Sequence, residues 1–335
     1  MARPGPGRRN RLPYDPVMRY RTLGDSGLLV SVVGLGCNNF GGRLDVARTR
    51  AVVDAAIDEG ITLLDTAESY GGQGASELAL GEVLKGRRDK VVLATKFGGA
   101  DMGYGPAAGA KGSRSYIKVA VEKSLTRLKT DYIDLYQLHA PDPVTPIDET
   151  IAALDDLVTE GKVRYMGHSN FSGWQIADAA HAAASSGRTS FISAQNHWSL
   201  LERGAEREVV PAAAHFGVGV LPFFPLANGL LTGKVRKGQD IPANSRLAEP
   251  RRAGYVTDAK LDKVEALIAW GREQGVSILE IAIGGLAAHP ACSSVIAGAT
   301  SPEQVKANAA AGEWEPTEDQ LAAIDKIVPP PGGGR

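Results

Sequence analysis

Ser113 to Thr130, running into Asp131-Tyr132-Ile133-Asp134-Leu135-Tyr136-Gln137-Leu138-His139, is the stretch on which the fold turns. Ile117, Val119, Val121, Leu125 and Leu128 recur so that a helix would carry one broad apolar side. Residues 132–139 then form a short, β-rich apolar run ending in polar groups, which suits a strand buried on both faces. Outward from this unit the same alternation repeats. Apolar runs at 31–37, 61–67, 91–97, 163–169, 191–197, 218–226 and 293–299 are separated by longer amphipathic segments. Ser76 ahead of one helix, and Gly60 and Gly161 behind two others, supply start and stop signals. Eight unbroken strand–helix units predict an α/β fold, a parallel (β/α)8 TIM barrel. The competing open, doubly wound sheet usually carries a phosphate loop after its first strand. Gly34-Leu35-Gly36-Cys37-Asn38-Asn39 lacks the third glycine that such a loop requires.

Three segments depart from a minimal barrel. Arg19 to Val33 reads as a β-hairpin turning at Gly24-Asp25-Ser26-Gly27, placed to cap the barrel's bottom. Residues 227–257 form a long loop after the seventh strand, on the face where barrel enzymes bind ligands. Thr317 to Val328 reads as an extra helix. The barrel domain is therefore expected over 18–328. Residues 1–17, rich in Pro, Gly and Arg and without a signal peptide's apolar stretch, and residues 329–335 are expected to be mobile tails. A formal net charge of −1 gives no basic or acidic half and argues against nucleic acid or an anionic membrane as a partner. Two cysteines, Cys37 and Cys292, offer no disulfide framework and fit a reducing cytoplasm. No apolar run approaches the roughly 18 residues of a spanning helix. Oligomeric state is left open.

Chemistry in such a barrel belongs at the carboxyl ends of its strands. Those ends carry Asp65 and Tyr70, Lys96, His139, His168-Ser169-Asn170 and Gln195-Asn196-His197-Trp198. A lysine at the end of a buried strand needs a partner, which Asp65 can be. Beside Tyr70, its ammonium favours phenolate and lowers the phenol pKa, suiting the tyrosine to give a proton to a carbonyl oxygen. His139 can hydrogen-bond the same oxygen. A structural Asp65–Lys96 pair with Tyr70 and His139 as rim residues accounts for these residue types equally well.

The motifs Leu64-Asp65-Thr66-Ala67 with Tyr70-Gly71, Ala94-Thr95-Lys96-Phe97-Gly98, Asp131 to His139, and Gly167-His168-Ser169-Asn170-Phe171 stand in order at barrel positions. With them the chain resembles the aldo-keto reductase family over about residues 18–328. The resemblance implies an NADP(H)-dependent reductase of aldehydes or ketones. Tyr70 is then the proton donor, Asp65 and Lys96 its tuners, and His139 the group that orients a small carbonyl substrate. It implies Ser169, Asn170 and Gln195 on the nicotinamide carboxamide and Phe223 stacked on the ring. Phe223-Phe224-Pro225-Leu226 stands where Tyr-Ser-Pro-Leu is frequent, so a serine hydroxyl is lost at Phe224. Asn228, Gly229 and Lys234 are expected at the pyrophosphate, with Gly36, Cys37, Asn38, Asp65, Phe224, Pro225 and Leu226 as further cofactor contacts. Gly298, Thr300 and Gln304 are expected at the adenosine 2′-phosphate, beside the helix start Ser301-Pro302-Glu303, and Asn308 near the adenine. Gln304 brings no charge, and Ala307 replaces a frequent acidic contact, which leaves room for weaker NADPH binding or some NADH use. Asn39, Phe40 and Trp198 are expected to wall the substrate pocket with Tyr70 and His139. Tyr104, in the Gly-rich 98–112 loop, is a lesser candidate for that wall. Trp174 and Trp270 are expected to be packing residues.

Two rivals remain. His139, His168 and His197 end three successive strands, as in metal-dependent barrel hydrolases, although strands one and eight add no ligand. A non-enzymatic NADPH-binding regulatory subunit, like the cytoplasmic β subunits of potassium channels, has the same fold and can keep the same four residues.

Overall fold

Ten strands and ten α-helices follow one another in a computed structural model that describes residues 18–332 apart from 244 and 253. The expected tail at 1–17 and the end at 333–335 lie outside the described residues. The strands are β1 (Tyr20–Thr22), β2 (Leu29–Ser31), β3 (Val33–Gly36), β4 (Leu63–Asp65), β5 (Val92–Phe97), β6 (Ile133–Leu138), β7 (Val163–Ser169), β8 (Ser193–His197), β9 (Gly219–Phe223) and β10 (Val295–Gly298). The helices are α1 (Val46–Asp58), α2 (Ala75–Val83), α3 (Arg114–Leu128), α4 (Ile147–Thr159), α5 (Gly173–Ser186), α6 (Val209–His215), α7 (Asp258–Gln274), α8 (Ile278–Ala287), α9 (Pro302–Ala311) and α10 (Glu318–Ile327).

Strands β3 to β10 pair in parallel and close into an eight-stranded barrel, β10 returning to β3 through Val295↔Val33 and Ala297↔Leu35. The register Leu64↔Leu93, Ala94↔Leu135, Tyr136↔Met166 and Gln195↔Leu221 fixes which side chains face in. Along β5, Ala94 and Lys96 point inward while Leu93 and Phe97 join the apolar layer under the helices. The expected run at 218–226 stops as a strand at Phe223 because Phe224 takes a left-handed φ of 52° and turns the chain.

β1 and β2 form the expected antiparallel hairpin. Leu23 and Val30 from it plug the barrel floor against Leu63, Ala94, Leu135 and Leu221. Gly24 at the hairpin turn has φ 57°, and a Cβ there would lie 2.4 Å from Gly217 O, so only glycine allows this approach. With the floor filled, the opposite end is the open one.

Helix ends follow their sequence signals with one exception. Gly60 and Gly161 sit at φ 77° and 76° just past α1 and α4. Ser76, expected ahead of a helix, lies inside α2, which starts after Gly74. Its buried hydroxyl donates to Cys37 O (2.8 Å) and meets Thr66 Oγ1, so it ties two loops together rather than capping. Between β9 and β10 the chain makes two helices, α7 and α8. The long loop packs on them through Leu230, Leu231 and Leu247, joined by Ile324 of the extra helix α10. Trp270 of α7 packs beside this cluster, whereas Trp174 is 66% exposed on α5 and is no packing residue.

Candidate active site

At the open end, inward-facing positions of β4, β5 and β6 bring four groups together. Lys96 is fully buried, and its Nζ donates to Asp65 Oδ2 (2.6 Å), Thr66 O (2.9 Å) and Tyr70 Oη (3.3 Å). Asp65 Oδ1 accepts from Gln195 Nε2 (2.8 Å) and Gln137 Nε2 (3.2 Å), so both carboxylate oxygens are satisfied. The Tyr70 and His139 rings meet edge-on with centroids 5.7 Å apart.

Burial works against the Lys96 ammonium, yet the Asp65 carboxylate and Tyr70 oxygen beside it raise its pKa overall. The phenol behaves differently from the sequence expectation. Burial pushes the Tyr70 pKa up, and Lys96 pulls it down only in part, so the net direction is upward. Composition at the strand ends revealed the cation but not how dry its surroundings are. Burial, helped by Lys96 and Lys111, pushes the His139 pKa down to about 3, so the imidazole is neutral at ordinary pH. Its Nδ1 is buried without a hydrogen-bond partner, which leaves Nε2 as the nitrogen able to meet a ligand.

A cavity of about 790 Å³ opens beside these groups, within the usual range for small-molecule sites. Its walls include Gly36, Asn38 and Asn39 after β3, Ser169 and Asn170 after β7, and Gln195 of β8. Phe223 to Leu226, Asn228, Gly229 and Lys234 after β9 line it too, as do Gly298, Thr300, Gln304 and Asn308 at and after the end of β10. Asn170, at φ 61°, donates through Nδ2 to His139 O (2.9 Å), and Ser169 Oγ donates to Gln195 O (2.8 Å). Gln304 Oε1 accepts from Thr300 N (2.8 Å), bracing the turn into α9.

Three expected contacts do not border the cavity. Cys37 is fully buried, with its thiol on Leu35 O (3.4 Å) and its pKa pushed well up by burial. Phe40 is tucked into the apolar layer by the turn in which its N–H reaches Cys37 O (3.0 Å). Trp198 falls on the outer side of the wall because Gln195 and His197 take the inward positions. Its Nε1 donates to Glu206 (2.8 Å) and its ring edge meets His289.

The three strand-end histidines do not converge. His168 faces outward, stacked 4.3 Å from Phe171, with a pKa pushed down to about 3 by burial. His197 stacks on Phe223, its pKa lowered mainly by burial. Among the described residues no three His, Cys, Asp or Glu side chains gather where a metal ion would sit.

Several lining residues were not anticipated. Arg43, from the loop after β3, lines the cavity and pairs with Glu249 in the long loop, which ties the two loops together there. Arg246 lines the cavity with its guanidinium 5.1 Å above the Phe224 ring. Ser245 Oγ accepts from Leu247 N (3.2 Å) and starts the short turn that holds Arg246. The one readable signal was a serine–arginine pair in a loop on the ligand face. Thr232, Val235, Pro242 and Leu279 complete that wall.

A closed parallel barrel with a buried Asp–Lys–Tyr cluster and a histidine at its open end defines a class of nicotinamide-dependent oxidoreductases. The model of the aldo/keto reductase family matches residues 32–329, and the chain belongs to that family. It is 38% identical over 324 residues to the uncharacterized oxidoreductase YrpG of Bacillus subtilis, covering 94% of this chain and 98% of the relative. It is 37% identical to a probable voltage-gated potassium channel subunit beta of Oryza sativa, over 93% of this chain and 97% of that one. An L-glyceraldehyde 3-phosphate reductase of Escherichia coli is 32% identical, with 93% and 92% covered. The chain is thus an oxidoreductase of a family that in general reduces small carbonyl compounds with a nicotinamide cofactor. No helix among the described residues is long and apolar enough to cross a membrane.

Proposed function

We propose that this protein reduces aldehydes or ketones to alcohols with NADPH, the proton coming from Tyr70. The observation that carries the reading is the buried Lys96 ammonium, which touches both Asp65 and Tyr70 behind the wall of a cavity that His139 also lines.

The cavity suits a dinucleotide on its own features. Its volume is adequate, and Gly229, at φ 110° with open space where a Cβ would stand, leaves backbone accessible to a phosphate. Lys234 and Arg246 supply positive charge, and the N-terminus of α9 adds a partial one. Ser169, Asn170 and Gln195 are the groups to hold a carboxamide, and Phe223, backed by His197, the one to stack on the ring. Asn228, Gly229 and Lys234 would take the pyrophosphate. Gly298, Thr300, Gln304 and Asn308 would take the adenosine end, where Gln304 offers no charge. When bound, the reduced nicotinamide supplies the hydride.

A phenol with an elevated pKa keeps its proton at neutral pH, which is the loaded state a general acid needs. As Tyr70 Oη gives that proton to the carbonyl oxygen, negative charge appears 3.3 Å from Lys96 Nζ, where it is stabilised. Asp65 keeps the lysine charged through this step. His139, neutral, donates from Nε2 to the same oxygen and sets the approach of the substrate.

A second reading, an NADPH-binding regulatory subunit with the same site, is favoured by the likeness to the rice β subunit. Incubation of the purified protein with NADPH and a panel of aldehydes and ketones separates the two. Loss of NADPH absorbance with at least one carbonyl supports the reductase. Tight NADPH binding with no turnover across the panel would favour the subunit.

A further inference from the structure

Of the buried carboxylates that the reduction chemistry leaves unused, Glu77 and Asp134 are paired with arginines, and Glu68 is not. Glu68 lies on the same turn as Tyr70 and is fully buried between the barrel wall and the helices. Its Oε1 accepts from Gly98 N (2.7 Å) and Tyr116 Oη (2.9 Å), and its Oε2 from Tyr104 Oη (2.9 Å). Its own N–H donates to Lys96 O (3.0 Å). Among the described residues neither oxygen meets a cation, and the nearby Arg127 pairs with Glu77 (2.6 Å). Burial raises the Glu68 pKa against the pull of its three donors. Burying a carboxylate without a counter-charge is costly, and an apolar residue would fill the space at less expense.

What the carboxylate grips is informative. Gly98 precedes Gly99, whose main chain lies against the imidazole of His139. A Cβ at Gly99 would fall 2.2 Å from His139 Nδ1. The Gly98–Gly99 backbone is therefore the backstop that holds the ring in place. Tyr104, a lesser pocket candidate from its sequence position, has its hydroxyl turned to Glu68 and ties the rest of the 98–112 loop to the same point.

We propose that Glu68 is a positioning residue that clips the Tyr70 turn to the Gly98–Gly99 backstop, and so fixes Tyr70 and His139 relative to each other. The proposal rests on the reductase reading, in which those two groups share one carbonyl oxygen. A misplacement of about 1 Å in such a pair costs roughly 100-fold in rate.

Three variants test it. Glu68→Ala should lower kcat roughly 10- to 100-fold, with KM and the NADPH dissociation constant within about threefold of wild type. Glu68→Gln, whose Oε1 can still accept from Gly98 N, should recover most of that loss. Gly99→Ala sets a Cβ 2.2 Å from His139 Nδ1, so it displaces the ring directly and should reproduce the fall in kcat in a protein whose circular dichroism shows that it still folds. Wild-type kcat in Gly99→Ala, or no rescue by glutamine in a folded protein, overturns the proposal. Amide exchange at Gly98, measured without substrate, should be about tenfold or more faster in Glu68→Ala. If the wild type binds NADPH but reduces nothing, the reductase reading fails. The clip is then still decided by that exchange, and an unchanged Gly98 rate overturns it.

Discussion

Lys96→Met removes the ammonium while keeping a chain of similar length in a fully buried position. Asp65 then keeps its two glutamine donors on Oδ1 but loses its partner at 2.6 Å on Oδ2. Breaking a buried pair by removing one member costs about 3–5 kcal/mol, because the surviving charge is stranded. For a chain of this length that is a fall in Tm of roughly 4–7 °C. Adding Asp65→Asn should return much of the loss, since it discharges the stranded group. The double-mutant cycle should show a coupling of about 2–3 kcal/mol. Thermal and urea unfolding of the four proteins, followed by circular dichroism, is the assay. Turnover should fall in both lysine variants, because nothing then opposes the upward push of burial on Tyr70. A Lys96→Met protein that melts with the wild type, or a cycle with no coupling, would refute the view that the pair is a mutually dependent buried charge cluster.

His168 has a folded pKa of about 3, below its unfolded value of about 6.5. The unfolded state therefore binds the extra proton, and the stability that neutral His168 contributes is present above about pH 6.5 and is lost as pH falls toward 3. His168→Phe should flatten the acid limb by about 1.4 kcal/mol per pH unit in that window, as urea titrations at several pH values would read. Glu249→Ala should release the long loop from its tie to Arg43. Because that pair is partly exposed, NADPH release in stopped-flow fluorescence should quicken by no more than about fivefold. Lys234→Ala should weaken NADPH and NADH alike in fluorescence titrations, since a pyrophosphate contact is common to both. A loss confined to NADPH would move Lys234 to the 2′-phosphate.

The barrel was legible because its strands are buried on both faces and its helices on one, so burial is written directly into the residue order. The hairpin was legible from its Gly-Asp-Ser-Gly turn. Side-chain direction just past a strand end was less so. Phe40 directly follows Asn39, which lines the cavity, and Trp198 comes three positions after Gln195, which also does; a tight turn or strand alternation sends them into the core instead. Ser76 carried a capping residue's identity but is used to tie loops. The upward shift of Tyr70 depends on how completely the fold dries its surroundings, which no local pattern records. Contacts such as Arg43 with Glu249, and Glu68 with Gly98, join loops far apart in the chain. They follow from the closed barrel rather than from any motif.

The central claim is that Tyr70 Oη gives the proton. Tyr70→Phe removes that one oxygen while keeping a ring to pack against His139 and beneath Lys96 Nζ, which lies 4.8 Å from its centre. Single-turnover reduction of a carbonyl identified in the panel should slow by roughly 100- to 10,000-fold in this variant. NADPH binding measured by fluorescence should stay within about twofold of wild type, since Tyr70 makes no proposed contact that holds the cofactor. A phenylalanine variant that reduces the same carbonyl at a rate close to wild type would contradict the account.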